Sequence, residues 1–417
     1  MHLLYSPIRP LFALLALAFV VECASPDATP TEAESAPVAQ LLQRSPAVQH
    51  GNEWANVQST YQQHNLALRQ NPASAADALA LVELYVQEAR VTGEHGHYYP
   101  GALALTDHVL GLEGLDDDLR FYALTLKSGV QLSQHEFAEA LVTGKLAAAL
   151  RPHDAQAQGV LVDAYVELGD YEAAVAASDA MMARRPDLRS YARVSYLREI
   201  HGDLDGAKEA MLMAVRSGIP GTEETSWATL ELAQLLSRAG DAYDAEQVLT
   251  VLLEQRPDYP FALGALAEMR LAEGDTASAK TYLDRAIAAI PEVGFYLTLA
   301  DYYRQVGRDG AFAKTLAEIE AMLADDVASG HNMDLEYADL HLGLLGDPAG
   351  AITYLERAYA ARPDNIDVNR ELARAYRALG DENKVEYHRA RAARTHSRHP
   401  DLVELDAPGG TAVSPAG

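Results

Sequence analysis

The sequence predicts an all-α fold, a solenoid of stacked helix–turn–helix units. Three observations predict it. A turn marker recurs: Gly169-Asp170, Gly202-Asp203, Gly240-Asp241, Gly274-Asp275, Gly346-Asp347 and Gly380-Asp381, with Gly307-Arg308 and His135-Glu136 in the same slot. Successive steps from residue 135 are 34, 33, 38, 34, 33, 39 and 34 residues. Pro152, Pro186, Pro257, Pro291 and Pro363 each lie 17 residues after a turn, and Ala140, Ala174, Ala207, Ala245, Ala279 and Ala351 each lie five after one. A period of this size is the mark of a repeat architecture.

The unit has a physical logic. Gly supplies the left-handed backbone that ends a helix. Asp caps the next helix or accepts turn hydrogen bonds. A small Ala lets two antiparallel helices approach. Pro stops the second helix, or starts the next first helix where its missing N–H does no harm. One such pair cannot bury its apolar face alone, so neighbours must stack. The 417 residues therefore mark one extended solenoid rather than several globular domains.

Along the chain, residues 11–21 form an apolar run (LFALLALAFVV) behind Arg9. A short apolar run after a basic residue reads as a secretory signal peptide, here over residues 1–24. It is shorter than the ~20 residues of a membrane span. Cys23 has two readings. Val20-Val21-Glu22-Cys23 resembles a bacterial lipoprotein box, with Glu22 where a small residue is usual. Ordinary cleavage near Ala24 or Ser25 is the other. Residues 25–50 open on Pro, Ala, Ser, Thr and Glu and are expected to be a flexible linker. Residues 51–72 are expected to form a capping helix with Trp54, Val57, Tyr61 and Leu68 on one face. Residues 73–399 hold about eight to nine repeats. The first is divergent, with an irregular loop over residues 92–101. The 38- and 39-residue steps predict inserted loops near residues 217–225 and 325–331. Residues 400–417 are expected to be a disordered tail.

Three copies carry a familiar pattern. Residues 155–186 place Leu161, Tyr165, Gly169, Tyr171, Ala174 and Pro186 in the signature slots. Residues 260–291 place Leu266, Gly274, Ala279, Leu283, Ala286 and Pro291 there, and residues 332–363 place Leu342, Gly346, Ala351, Leu355, Ala358 and Pro363. On these residues the chain resembles the tetratricopeptide repeat family, as an exported bacterial member of uncharacterised type. It departs from the pattern at Val162 and Asp339, in a slot for a small residue, and at Phe312 in an Ala slot. The resemblance implies a right-handed α-solenoid whose first helices line a concave groove. It places Tyr196, Trp227, Gln234, Arg238, Phe261, Asp301 and Arg304 in that groove. The family's best-known groove clamps a chaperone's C-terminal carboxylate with Lys and Asn. Here the Asn slots hold Asp163, Tyr196, Gln234, Glu268 and Asp301, so that activity is not implied.

Several chemistries are excluded or weakly marked. The formal net charge of −27 argues against binding nucleic acid or anionic lipid. One Cys rules out an intrachain disulfide framework and a Cys-rich zinc module. No nucleophile elbow, phosphate loop or dinucleotide fingerprint occurs. His135-Glu136-Phe137-Ala138-Glu139 is half of a zinc protease helix, with Glu139 where the second His would be. Glu94-His95-Gly96-His97-Tyr98-Tyr99 reads as a loop in which His95 and His97 are candidate metal ligands, completed by Glu94 or Asp107. Arg370, Arg374, Arg377, Arg389, Arg391, Arg394 and Arg398 make a basic island that could dock an acidic partner or a membrane surface.

The expectation is a non-enzymatic scaffold without a cofactor. It would hold a peptide segment or partner protein in the concave groove, in the bacterial periplasm or cell envelope. Lipidation of Cys23 would anchor it to the membrane. The alternative is a metal-handling accessory protein of a membrane transport system, using the Glu94–Tyr99 segment. That alternative rests on a loose resemblance of residues 187–206 to repeat proteins near predicted metal permeases.

Overall fold

The left-handed turn recurs where the sequence puts it. In the computed structural model, which describes residues 35–406, φ is positive at His135, Gly169, Gly202, Gly240, Gly274, Gly307, Gly346 and Gly380. His135 adopts φ 62° without being glycine. Asp170, Asp203, Asp275, Asp347 and Asp381 each accept the backbone N–H three residues on. A cap of this kind is worth ~1 kcal/mol. Ala140, Ala174, Ala207, Ala245, Ala279 and Ala351 have no solvent exposure. The slot also takes a larger side chain, since Val385 is buried and Phe312 half-buried five residues after Gly380 and Gly307.

The described residues form helices and no strands. α1 (Glu53–Gln70) lies against α2 (Ala75–Thr92), which pairs with α3 (His95–Leu110). Then α4 (Asp117–Ser133) pairs with α5 (Phe137–Leu150), α6 (Ala155–Leu168) with α7 (Tyr171–Met182), and α8 (Leu188–Ile200) with α9 (Leu204–Ser217). α10 (Glu223–Arg238) pairs with α11 (Ala242–Gln255), α12 (Pro260–Ala272) with α13 (Thr276–Ala289), and α14 (Val293–Gln305) with α15 (Asp309–Ala328). α16 (Asp334–Asp339) runs on as a wider π-helical stretch, Leu340–Leu345, and pairs with α17 (Pro348–Ala361). α18 (Ile366–Leu379) pairs with α19 (Glu382–Ala392), and α20 (Pro400–Asp406) follows. First helices of neighbouring pairs also touch, from α2–α4 through α12–α14. That places them on the inside of the bend.

The bend closes on itself. Gln134 Nε2 donates to the Ser329 carbonyl, Asn332 N–H to the Gln134 carbonyl, and Ile366 N–H to the Tyr171 hydroxyl. Arg362 pairs with Glu167, and Asn365 Nδ2 donates to the Glu167 carbonyl. These partners lie 195 to 198 residues apart. One superhelical turn therefore takes about that length of chain, and the second turn rests on the first along a seam.

Several expectations need correction. Residues 36–50, expected to be linker, form a packed strap. Ala36, Val38, Ala39, Leu41 and Leu42 lie on the α2–α3 core, and Val48, with Val91 of α2, packs on Leu263 and Leu283 of the next turn. Arg44 is fully buried against Glu88, with Nε 2.9 Å from Oε2, and it donates to the Val48 carbonyl. The strap carries few large apolar residues, but each lands in the core. Residues 92–101 are not a loop, because α2 ends at Thr92, Gly93 turns at φ 73°, and α3 starts at His95. The step near residue 325 lengthens α15 to Ala328 instead of adding only loop, whereas the one near residue 217 is a loop. The expected tail begins with α20, whose Leu402 and Leu405 bury against Ala373 and Ala392. The signal peptide, Cys23 and the end of the tail lie outside the described residues.

Two measurements test this account. Arg44→Met strands a buried carboxylate, and breaking such a pair costs ~3–5 kcal/mol. Urea denaturation should show that loss, and Arg44→Met/Glu88→Leu should recover most of it. Gly274→Ala should cost about 1–2 kcal/mol, the penalty of a left-handed backbone with a Cβ. Gly169→Ala should cost more at a similar φ, because its Cβ would fall on the Asp364 carbonyl of the facing turn, whereas nothing lies near that of residue 274.

Candidate functional site

The inner face is built by the first helices, and side chains one repeat apart tie them together. Arg193 on α8 donates from Nε to Asp163 Oδ1 on α6 at 2.8 Å. Arg238 on α10 grips Glu199 on α8 through two bonds, at 2.7 and 3.0 Å. Thr298 on α14 donates to Glu268 on α12 at 3.3 Å. Arg304 on α14 donates to the Gly343 carbonyl at 2.8 Å and pairs with Asp301. A two-point guanidinium–carboxylate contact fixes geometry as well as charge. The ladder thus sets the spacing of the inner wall.

Open groups stand between its rungs. Trp227 and Tyr196 are 43% and 40% exposed, high for large aromatics in a helical stack. Tyr196 keeps this solvent contact, yet burial by the surrounding wall, with the carboxylates of Asp367 and Glu167, pushes its phenol well up. Burial also pushes the carboxyls of Glu231 and Glu268 up. At Glu268 the Thr298 hydroxyl opposes that shift. Tyr196 and Glu268, exposed yet desolvated, and half-buried Glu231 describe a concave wall, where protein displaces much of the water around each side chain.

The expected groove residues divide. Tyr196 and Trp227 are open to solvent, and Gln234 is half-buried on α10. Arg238, Asp301 and Arg304 are present but engaged in ion pairs. Phe261 is largely a packing residue, its ring 5.8 Å from those of Tyr259 and Phe295. Sequence reading missed Arg193, Glu199 and Thr298 as rungs. Opposite charges about one repeat apart were the available signal.

The histidine pair does not converge. At the start of a helix, residues i and i+2 project roughly 200° apart. His97 Nε2 lies 2.7 Å from the Gln40 carbonyl oxygen of the strap. His95 faces the second turn, with Nε2 3.6 Å from Glu292 Oε1 and its ring 6.3 Å from that of His331. Burial, with His331 nearby, pushes the His95 imidazole down to about 4. Burial beside Asp326 pushes the Glu292 carboxyl up to about 7. Both line an open cleft of about 620 Å³ between α3 and the α14–α15 pair. Among the described residues no three His, Cys, Asp or Glu side chains are grouped to hold a metal ion. No described helix is long and apolar enough to cross a membrane.

The basic island is also engaged internally. Arg370 pairs with Asp367 and Glu371, and Arg374 with Glu371 and Asp401. Arg377 donates to the carbonyls of Glu404 and Leu405. Arg391 and Arg394 pair with Asp364, and Arg394 also donates to the Gly169 carbonyl across the seam.

Comparison with known proteins agrees with this architecture. Residues 344–386 match the family model described as tetratricopeptide repeat. No curated protein matches. Among solved structures, the APC/C hetero-tetramer Cut9–Hcn1 aligns with a TM-score of 0.51 at 16% identity, over 79% of this chain and 61% of that one. The chain thus spans about three-fifths of that relative's length. A tetratricopeptide repeat protein from Parabacteroides merdae aligns at 14% identity over 58% of this chain and 93% of that one, TM-score 0.42. A thermophilic repeat protein of Thermus thermophilus aligns at 23% identity over 43% and 92%, TM-score 0.37.

Thr298→Val removes the hydroxyl that stabilises the ionised Glu268. The Glu268 pKa should then rise further above its ordinary value. Carboxyl-carbon NMR titration of both proteins reads this directly, and an unchanged value would mean that water already solvates that oxygen.

Proposed function

We propose that this tetratricopeptide repeat protein is a non-enzymatic scaffold that holds an extended segment of a partner protein on its inner face, outside the cytosol. Its fold is one that mediates protein–protein contact. The finer reading is carried by one observation: open aromatics alternate with desolvated carboxyls along α8, α10 and α12. Trp227 and Tyr196 offer large contact area at low entropy cost. Glu268 bonds only to Thr298 among the described residues, and a cation beside it would favour its charged form against burial. With the net charge of −27, this favours a partner segment carrying Lys or Arg. Location outside the cytosol rests on the signal-like run at residues 11–21.

The test uses fluorescein-labelled extended peptides carrying spaced lysines and one aromatic residue, beside acidic counterparts. Wild type should prefer the basic set, and the preference should fade with salt. Trp227→Ala should weaken binding at least about tenfold, the loss expected of an aromatic anchor. Glu268→Lys should reverse the charge preference. Equal binding of both peptide sets, unmoved by either substitution, would reject the inner face as the site.

A further inference from the structure

The seam between the two superhelical turns differs in kind from the packing within them. Inside each helix pair the contacts are mainly apolar and closed, as with the fully buried Leu249, Leu283 and Leu355. Across the seam they are mostly polar: Gln134 to Ser329, His135 Nδ1 to the Asn332 carbonyl at 2.8 Å, Arg362 to Glu167, Asn365 to Glu167, and Arg394 to Gly169. Ile366, packed near Leu161 and Tyr171, is the main apolar contact along that stretch.

A second observation is independent of this composition. Six buried side-chain atoms have no hydrogen-bond partner among the described residues: Gln131 Oε1, Glu292 Oε1, His331 Nε2, Glu336 Oε2, Arg391 Nε and Thr395 Oγ1. All lie at the seam or close to it. Glu292 faces His95, and His331 stacks near Tyr99. Glu336 Oε1 is 3.8 Å from His135, while Gln131 is within a helical turn of Gln134. Arg391 pairs with Asp364, which abuts Gly169, and Thr395 adjoins Arg394. A buried polar atom without a partner costs roughly 1–3 kcal/mol, a cost that contact with water relieves. Opening the seam exchanges its hydrogen bonds for bonds to water at about 1 kcal/mol each, offset by hydration of the stranded atoms, of which Glu292 already borders the open cleft beside α3. Opening a helix pair would expose apolar core.

The two ends of the seam are unequal. At the strap end, Val48 and Val91 bury with Leu263 and Leu283, and Arg256 grips Glu53 at 2.8 Å. From His95 onward the polar contacts take over. We propose that the seam is a separable latch, fixed at the strap, which parts along its polar stretch while every helix pair stays packed, and so admits an extended chain sideways to the inner face. Sideways admission rests on the reading of the inner face as the binding surface. The latch itself does not.

Two backbone amides report the latch directly. Asn332 N–H bonds to the Gln134 carbonyl, and Ile366 N–H to the Tyr171 hydroxyl, so both are protected only while the seam is closed. Hydrogen exchange on the wild-type chain, resolved by residue, should find them exchanging at least about 100-fold faster than amides inside α6 and α12, through a local opening. Arg362→Ala/Arg394→Ala should speed them further and raise the maximum dimension in solution scattering, with helical circular dichroism unchanged. Exchange of both amides at the global unfolding rate would overturn the latch, and needs no variant to observe. The double variant should also bind the lysine-bearing fluorescein peptide faster. A faster seam with an unchanged association rate would overturn sideways admission alone. Absence of peptide binding to any form would overturn the inner-face reading and leave the latch measurement standing.

Discussion

A backbone turned left-handed once per repeat is the constraint on which the other features depend. The turn reverses the chain within two residues, so the second helix must run back along the first. The Ala five residues later has no exposed surface and lets the two backbones close. A closed pair still shows an apolar flank, so the next pair must cover it. Each addition rotates the stack, first helices inward. After 195 residues the rotation brings residue 362 against residue 167. At Gly169 and Gly202 the missing side chain then serves twice. It permits the positive φ, and it leaves room for the Asp364 and His396 carbonyls of the facing turn.

What the sequence made legible was local. The turn slots, most of their Asp caps, the buried alanines and the prolines act within one repeat, and the structure places them as their spacing predicts; Asp241 pairs with Lys208 instead of capping. Even His135 keeps a positive φ, because its place in the period outweighs its identity. What stayed hidden was long-range. Nothing near Arg44 reveals that Glu88 waits for it, and a Pro- and Ala-rich strap has the composition of a linker. The segment from Glu94 to Tyr99 resembles a loop because Gly96 and Pro100 interrupt it, yet α3 runs through Pro100 and forgoes one helical bond, to the Gly96 carbonyl.

Charge was misleading in the same way. Seven arginines near the C-terminus look like a docking patch when counted along the chain. In three dimensions the carboxylates of Asp364, Asp367, Glu371 and Asp401 answer most of them. The inner wall shows the converse. Arg193 and Arg238 are neutralised by acids one repeat away, which leaves Glu231 and Glu268 as the desolvated excess. The formal charge of −27 is thus unevenly distributed. A pairing rule at one-repeat separation, rather than a count, identifies where it acts.

The same topology couples the inner face to the seam. The seam's first bank ends near Gly202 and its second begins near Arg256, where the strap holds it to Glu53. Between the banks the chain runs through α9, α10 and α11. That stretch closes a loop, because the strap ties the start of the second bank back to the start of the first. Trp227, Glu231, Gln234 and Arg238 all belong to α10. The Arg238–Glu199 rung joins α10 to α8, the last first helix of the lower bank. A stack built from identical pairs would hold its seam evenly. Here the seam is apolar at the strap and polar beyond it, so its two ends are held by different forces.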